Sequence, residues 1–117
     1  DFAVNNEEQV TIAYWNHSIQ KFDKNGVFLN YIVKPEIYPE EYRDFYSIAI
    51  DQFDNTFILT RACKIQIYNN KGILDQIIDV SDRIASCHGD EKIAVSKDGR
   101  NLLVTDLRNF RVLIFKR

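Results

Sequence analysis

Slid against itself by 46 residues, the chain meets a second copy of its own pattern. Ala3 falls on Ala49, Ile12 on Ile58, Ile19 on Ile65, Gln20 on Gln66 and Gly26 on Gly72, with no gap from Phe2 to Ile32. Between these identities Phe2 meets Ile48, Val4 meets Ile50, Phe22 meets Tyr68 and Val27 meets Ile73. A shift of 45 then sets Ala49 on Ala94, Ile50 on Val95, Ile58 on Leu103 and Thr60 on Thr105. Two extra residues near Leu107–Arg108 bring Ile65 onto Val112 and Tyr68 onto Phe115. A unit of roughly 45 residues points to a propeller blade or a helical solenoid, since each unit must bury its apolar face on a neighbour.

The period inside the unit decides between the two. Ile48-Ala49-Ile50, Thr56–Thr60, Lys64–Tyr68 and Ile73–Ile77 are short runs rich in β-branched and aromatic residues, several alternating with period two. Asp23-Lys24-Asn25-Gly26, Asn69-Asn70-Lys71-Gly72 and Lys97-Asp98-Gly99-Arg100 read as hairpin turns whose glycines accept positive φ. No window carries a sustained 3.6-residue stripe. The fold class is therefore all-β, with four antiparallel strands per unit, the arrangement of a propeller blade. The blades fall at about Phe2–Ile32, Ile48–Ile78 and Ile93–Phe115, the last without its outermost strand. Residues 1–117 are read as one partial propeller, expected to be the C-terminal half of a six-bladed ring, because three blades leave strand edges and apolar faces open. The remaining blades are expected from the same protein, or else from a second copy or another chain.

Composition narrows the classes further. The net charge is −2, which gives no global attraction to nucleic acid or membrane, and no apolar run approaches a membrane span. Two cysteines, Cys63 and Cys87, do not make a disulfide framework and are expected as packed or surface thiols. A cytoplasmic protein is the resulting expectation.

The unit resembles the NHL repeat. Asn16-His17-Ser18-Ile19-Gln20-Lys21-Phe22-Asp23 matches that family's Asn-His-Arg-Ile-Gln-apolar-Phe segment, with Ser18 where Arg is usual. Ile93-Ala94-Val95-Ser96-Lys97-Asp98-Gly99 matches its opening strand and turn, and Val104-Thr105-Asp106-Leu107-Arg108-Asn109-Phe110-Arg111-Val112 its core signature. The middle unit keeps Ile48-Ala49-Ile50-Asp51 and Ile65-Gln66-Ile67-Tyr68 but carries Arg61 and Cys63 where the signature has Asp and Asn. The resemblance implies an NHL-type propeller. Among tripartite-motif–NHL proteins it implies a reader of single-stranded RNA in post-transcriptional regulation. In other members the same face binds protein.

Function in such a fold sits on the connections at one end of the sheets. These supply Arg61, Lys64, Arg108 and Arg111 as candidate phosphate contacts, and Tyr46 and Phe110 as stacking groups, with Arg43 and His88 nearby. Acids also lie in these segments, and Glu7, Glu8, Asp51 and Asp54 fall in turns expected at the opposite end. Asp106 and Arg111 are expected to bridge across their loop, with Asn109 satisfying backbone groups or taking the left-handed conformation. His17 and His88 lack the spacing of a metal site, and Cys87-His88 adjacency is not a catalytic geometry. The expectation is a binding platform without catalysis, metal or cofactor. Its partner is single-stranded RNA, or alternatively a protein, and not a membrane.

Overall fold

A computed structural model describes residues 1–14, 18–34, 45–84, 87 and 89–117, with the side chain of Tyr46 also outside the description. The described residues form three antiparallel sheets and a single 3-10 turn at Leu107–Asn109. Sheet I orders β1 (Phe2–Val4), β2 (Val10–Ala13), β3 (Ile19–Phe22) and β4 (Phe28–Val33) side by side. Sheet II repeats this with β5 (Phe45–Ile50), β6 (Thr56–Thr60), β7 (Lys64–Tyr68) and β8 (Leu74–Asp79). Sheet III has three strands, β9 (Ile93–Val95), β10 (Asn101–Asp106) and β11 (Arg111–Lys116). The all-β expectation holds.

The sequence repeat is also a repeat of hydrogen-bond register. Phe2 pairs with Ile12 as Ile48 pairs with Ile58, and Val10 pairs with Phe22 as Thr56 pairs with Tyr68. The turns repeat as well. Asn5 Oδ1 accepts the amides of Glu7 and Gln9, and Asp51 Oδ1 accepts those of Phe53 and Asn55. Asp23 and Asn69 close the β3–β4 and β7–β8 turns in the same way, ahead of Gly26 and Gly72 at φ 80° and 75°. Short side-chain acceptors that mimic a backbone turn are what these residue types supply.

Sheet III corrects one detail of the self-alignment. Ile93 lies opposite Val104, as Ile48 lies opposite Ile58. Val104, not Leu103, is therefore the counterpart of Ile58, and Asp106, not Thr105, that of Thr60. One extra residue sits in the β9–β10 turn and one in the β10–β11 connection, rather than two at Leu107–Arg108. Leu102 and Val104 are fully buried and Leu103 is not, and a slip of one residue would reverse the two faces.

Sheet II is sandwiched. Ile48, Ile58 and Tyr68 pack on Ala13, Ile19 and Val33 of sheet I. From its other face Ala49, Phe57, Leu59, Ile65 and Ile67 pack on Ile93, Leu102, Val104, Leu113 and Phe115 of sheet III. The first strands of the sheets are laced together. Ser47 Oγ accepts the amide of Ile93 at 2.9 Å, and Asp1 Oδ2 accepts that of Ile48 at 3.1 Å. β5 thus lies against both β1 and β9, while the last strands, β4 and β8, stay largely exposed.

Candidate functional site

Three connections gather at one end of the sheets. The β6–β7 turn closes through the Cys63 amide to Thr60 O at 3.0 Å, with Cys63 left-handed at φ 57°. The chain leaving β8 folds back over this turn, donating the Val80 amide to Cys63 O at 2.9 Å. Cys63 and Cys87 are then joined by a disulfide, with Cα atoms 5.5 Å apart and both residues buried. This corrects the expectation of two thiols. The partners are 24 residues apart, so no local spacing announces the bond. The return of the chain over the turn makes it.

The third connection joins β10 to β11. Asp106 is buried, and its Oδ2 accepts Asn109 Nδ2 at 2.9 Å and Arg111 Nε at 2.8 Å. These two donors hold its carboxyl below the ordinary carboxylate range, against the opposing effect of burial. The expected Asp106–Arg111 bridge is present. Asn109, however, is spent on Asp106, and the left-handed residue is Phe110, at φ 53°. With its amide turned back to Leu107 O, Phe110 presents a ring that is 96% exposed. Arg111 Nη2 reaches across to Arg83 O at 2.8 Å, and Lys92 N donates to Thr105 Oγ1 at 2.8 Å. The second and third connections are therefore one surface.

Arg61, Lys64, Arg108, Arg111 and Phe110 are brought to this end together. Their chemistry is not uniform. Arg61 and Arg108 are exposed, Lys64 is half-buried opposite Asp79, and Arg111 is committed to Asp106 and Arg83. Arg43, His88 and the side chain of Tyr46 lie outside the described residues. Acids interleave with the bases: Asp79, held low by the Ser81 hydroxyl and amide, with Asp82, Asp90 and buried Glu91. Sequence reasoning missed Arg83 as a fastener. Its guanidinium lies 4.5 Å over the Phe115 ring and donates to Ile114 O at 3.1 Å.

The other end carries Glu7 and Glu8 in the β1–β2 turn and Asp51 and Asp54 in the β5–β6 turn. Asp51 is a turn acid. Asp54 is taken by Lys21, with which it forms an ion pair, and by Asn5 Nδ2 at 3.0 Å. Among the described residues no three His, Cys, Asp or Glu side chains are grouped to hold a metal, and no helix is long and apolar enough to cross a membrane. Compared with known proteins, the chain matches no family model and no curated protein.

Proposed function

We propose that the three sheets are blades of an NHL-type β-propeller, and that the end bearing Phe110 is a docking face for a protein partner. The repeated register, the laced first strands and the Asp106–Asn109–Arg111 signature support the blade reading. The observation that carries the docking reading is Phe110 itself, a fully exposed aromatic ring on a connection fixed by the Asp106 network. Aromatic anchors on rigid supports contribute most of the affinity of protein interfaces, since little ordering entropy is lost when they bind.

Two features favour protein over RNA. The bases at this end are interleaved with acids, whereas a phosphate backbone selects a positive track. The Cys63–Cys87 bond also fits an oxidising compartment rather than the cytoplasm, where disulfides are rare. Single-stranded RNA is the second reading, favoured by exposed Arg108 two residues before Phe110, a base-stacking and phosphate pair.

One experiment separates the readings. The folded, disulfide-bonded chain is panned against a random peptide library and, in parallel, a random single-stranded RNA pool at two salt concentrations. Peptide enrichment lost with Phe110→Ala supports the protein reading. RNA enrichment that falls steeply with salt and disappears in the Arg61/Lys64/Arg108 triple alanine variant replaces it. Failure of both pools sinks the platform.

A further inference from the structure

Among the asparagines of the chain, Asn25 alone precedes a glycine. It stands exposed in the β3–β4 turn, with Gly26 after it at φ 80°. Other turn asparagines are held by their side chains. Asn5 and Asn69 accept backbone amides, and Asn109 donates to Asp106. The side-chain amide of Asn25 has no partner among the described residues. Its counterpart in sheet II is Lys71, ahead of Gly72, and Lys71 is exposed although sheet II is packed on both faces. Exposure of this turn therefore does not depend on what adjoins sheet I.

We propose that Asn25 is a deamidation site, and that its isoaspartyl product opens the β3–β4 turn. The Gly26 backbone nitrogen, once its proton has passed to hydroxide, attacks the side-chain carbonyl carbon of Asn25. The new carbon–nitrogen bond closes a five-membered imide. The bond to the side-chain nitrogen breaks, and that nitrogen leaves as ammonia with a proton taken from water. Water then adds to either carbonyl of the imide. Opening at the side-chain carbonyl leaves aspartate. Opening at the main-chain carbonyl leaves isoaspartate, in which the chain runs through the former side chain. With no side chain on Gly26, the attacking nitrogen is unhindered. Its restraint is the bond to Asp23 O at 3.0 Å, and bonds of an exposed turn open locally at small cost. Asp98-Gly99 is the comparable dipeptide in the β9–β10 turn, and it is fastened. Asp98 Oδ1 accepts the Ser96 hydroxyl at 2.6 Å and the Arg100 amide at 3.0 Å. These bonds keep the carboxylate ionised, a poor target for a nucleophilic nitrogen.

The β3–β4 turn is strung on Asp23. Its Oδ1 accepts the amides of Asn25 at 2.8 Å and Val27 at 2.9 Å, and its own amide donates to Val27 O at 2.9 Å. Isoaspartate adds a main-chain carbon between these partners, which displaces Val27 from both bonds. It also sets a second carboxylate beside that of Asp23, and like charges repel.

The test follows the oxidised chain through incubation in mildly alkaline buffer. Peptide mass mapping reads the exchange of NH2 for OH at each asparagine. An isoaspartyl methyltransferase reads isoaspartate, and hydrogen exchange of the modified fraction, separated by anion exchange, reads the turn. The expected result is loss of the Asn25 amide ahead of every other asparagine, faster as the pH rises, with isoaspartate formed. The modified fraction should lose protection at the Asp23 and Val27 amides, while Asn69 and Ile73 in the equivalent turn of sheet II keep theirs. Asn25→Gln, whose longer side chain would have to close a six-membered ring, should show neither change. Amide loss at Asn25 no faster than at exposed Asn70, which precedes Lys71, overturns the site. Aspartate without isoaspartate, or isoaspartate with the Asp23 and Val27 protection unchanged, overturns the opening of the turn.

Discussion

The two internal interfaces occupy the same positions of the repeat and differ in what fills them. Between sheets II and III, Phe57 and Ile67 are fully buried in one apolar cluster. Between sheets I and II the same positions hold Thr11 and Lys21. Lys21 is buried and needs Asp54 as its counter-ion. Thr11 Oγ1 is buried with no hydrogen-bond partner among the described residues. A buried ion pair recovers little of its desolvation, and an unmatched hydroxyl recovers none, so the II–III contact is the stronger of the two. It is also flanked by the Cys63–Cys87 bond, which pins the β8–β9 connection onto the β6–β7 turn of sheet II, and held at its far end by Arg117 over the Phe57 ring. The same architecture can therefore be held by apolar packing or by polar pairing, and only the first contributes a large surplus.

That contrast can be broken or sharpened. The largest loss should follow Phe57→Ala, about 3–5 kcal/mol in urea denaturation. Leu103→Ala, the same repeat position on the free face of sheet III, should cost about 1 kcal/mol or less. Equal losses would show that the central sheet is not the seat of the stability. Replacing Cys63 and Cys87 by serine should lower stability by about 3 kcal/mol, the loop-closure effect of a bridge spanning 24 residues. Alkylation of the native protein should find no free thiol.

Smaller effects discriminate the turns. Gly99 sits at φ 73°, and a Cβ there would collide with Asp51 Oδ2, whereas Gly26 at φ 80° faces open space. Gly99→Ala should cost about 2 kcal/mol and Gly26→Ala about 1 kcal/mol, the latter from left-handed strain alone. Thr11→Val should stabilise the weaker interface by about 1 kcal/mol, by removing the unpaired hydroxyl without changing its shape. The smallest effect is local to the β10–β11 connection. Because the folded state holds the Asp106 carboxyl below its ordinary value of 3.8, its contribution is present above that value and lost as pH falls through the lowered one. The protection of the Phe110 and Arg111 amides, taken relative to their intrinsic exchange rates, should fall as the pH drops below about 4, and Asp106→Asn should abolish the dependence.

Much of this was legible beforehand. The alternation of Thr56–Thr60 and Lys64–Tyr68, the glycine-ended turns and the 46-residue echo led to three antiparallel sheets. Asp106 and Arg111, five residues apart, could be paired because a tight connection leaves them no other distance. The register of β10 could not be read. Leu102, Leu103 and Val104 are all apolar, and only burial against sheet II tells which pair faces inward. At the site, the basic residues were visible as types, but the acids that interleave with them come from segments separated in sequence.

What the sequence determined by itself is local: strand, turn and repeat, each set by the preferences of a few adjacent residues. The tertiary structure alone decided the Cys63–Cys87 bond and the exposure of Phe110. It alone also decided which of two equivalent faces is buried and which is left free. Those outcomes depend on which distant segments pack against a residue, and a repeat writes nearly the same residues at positions whose neighbours differ.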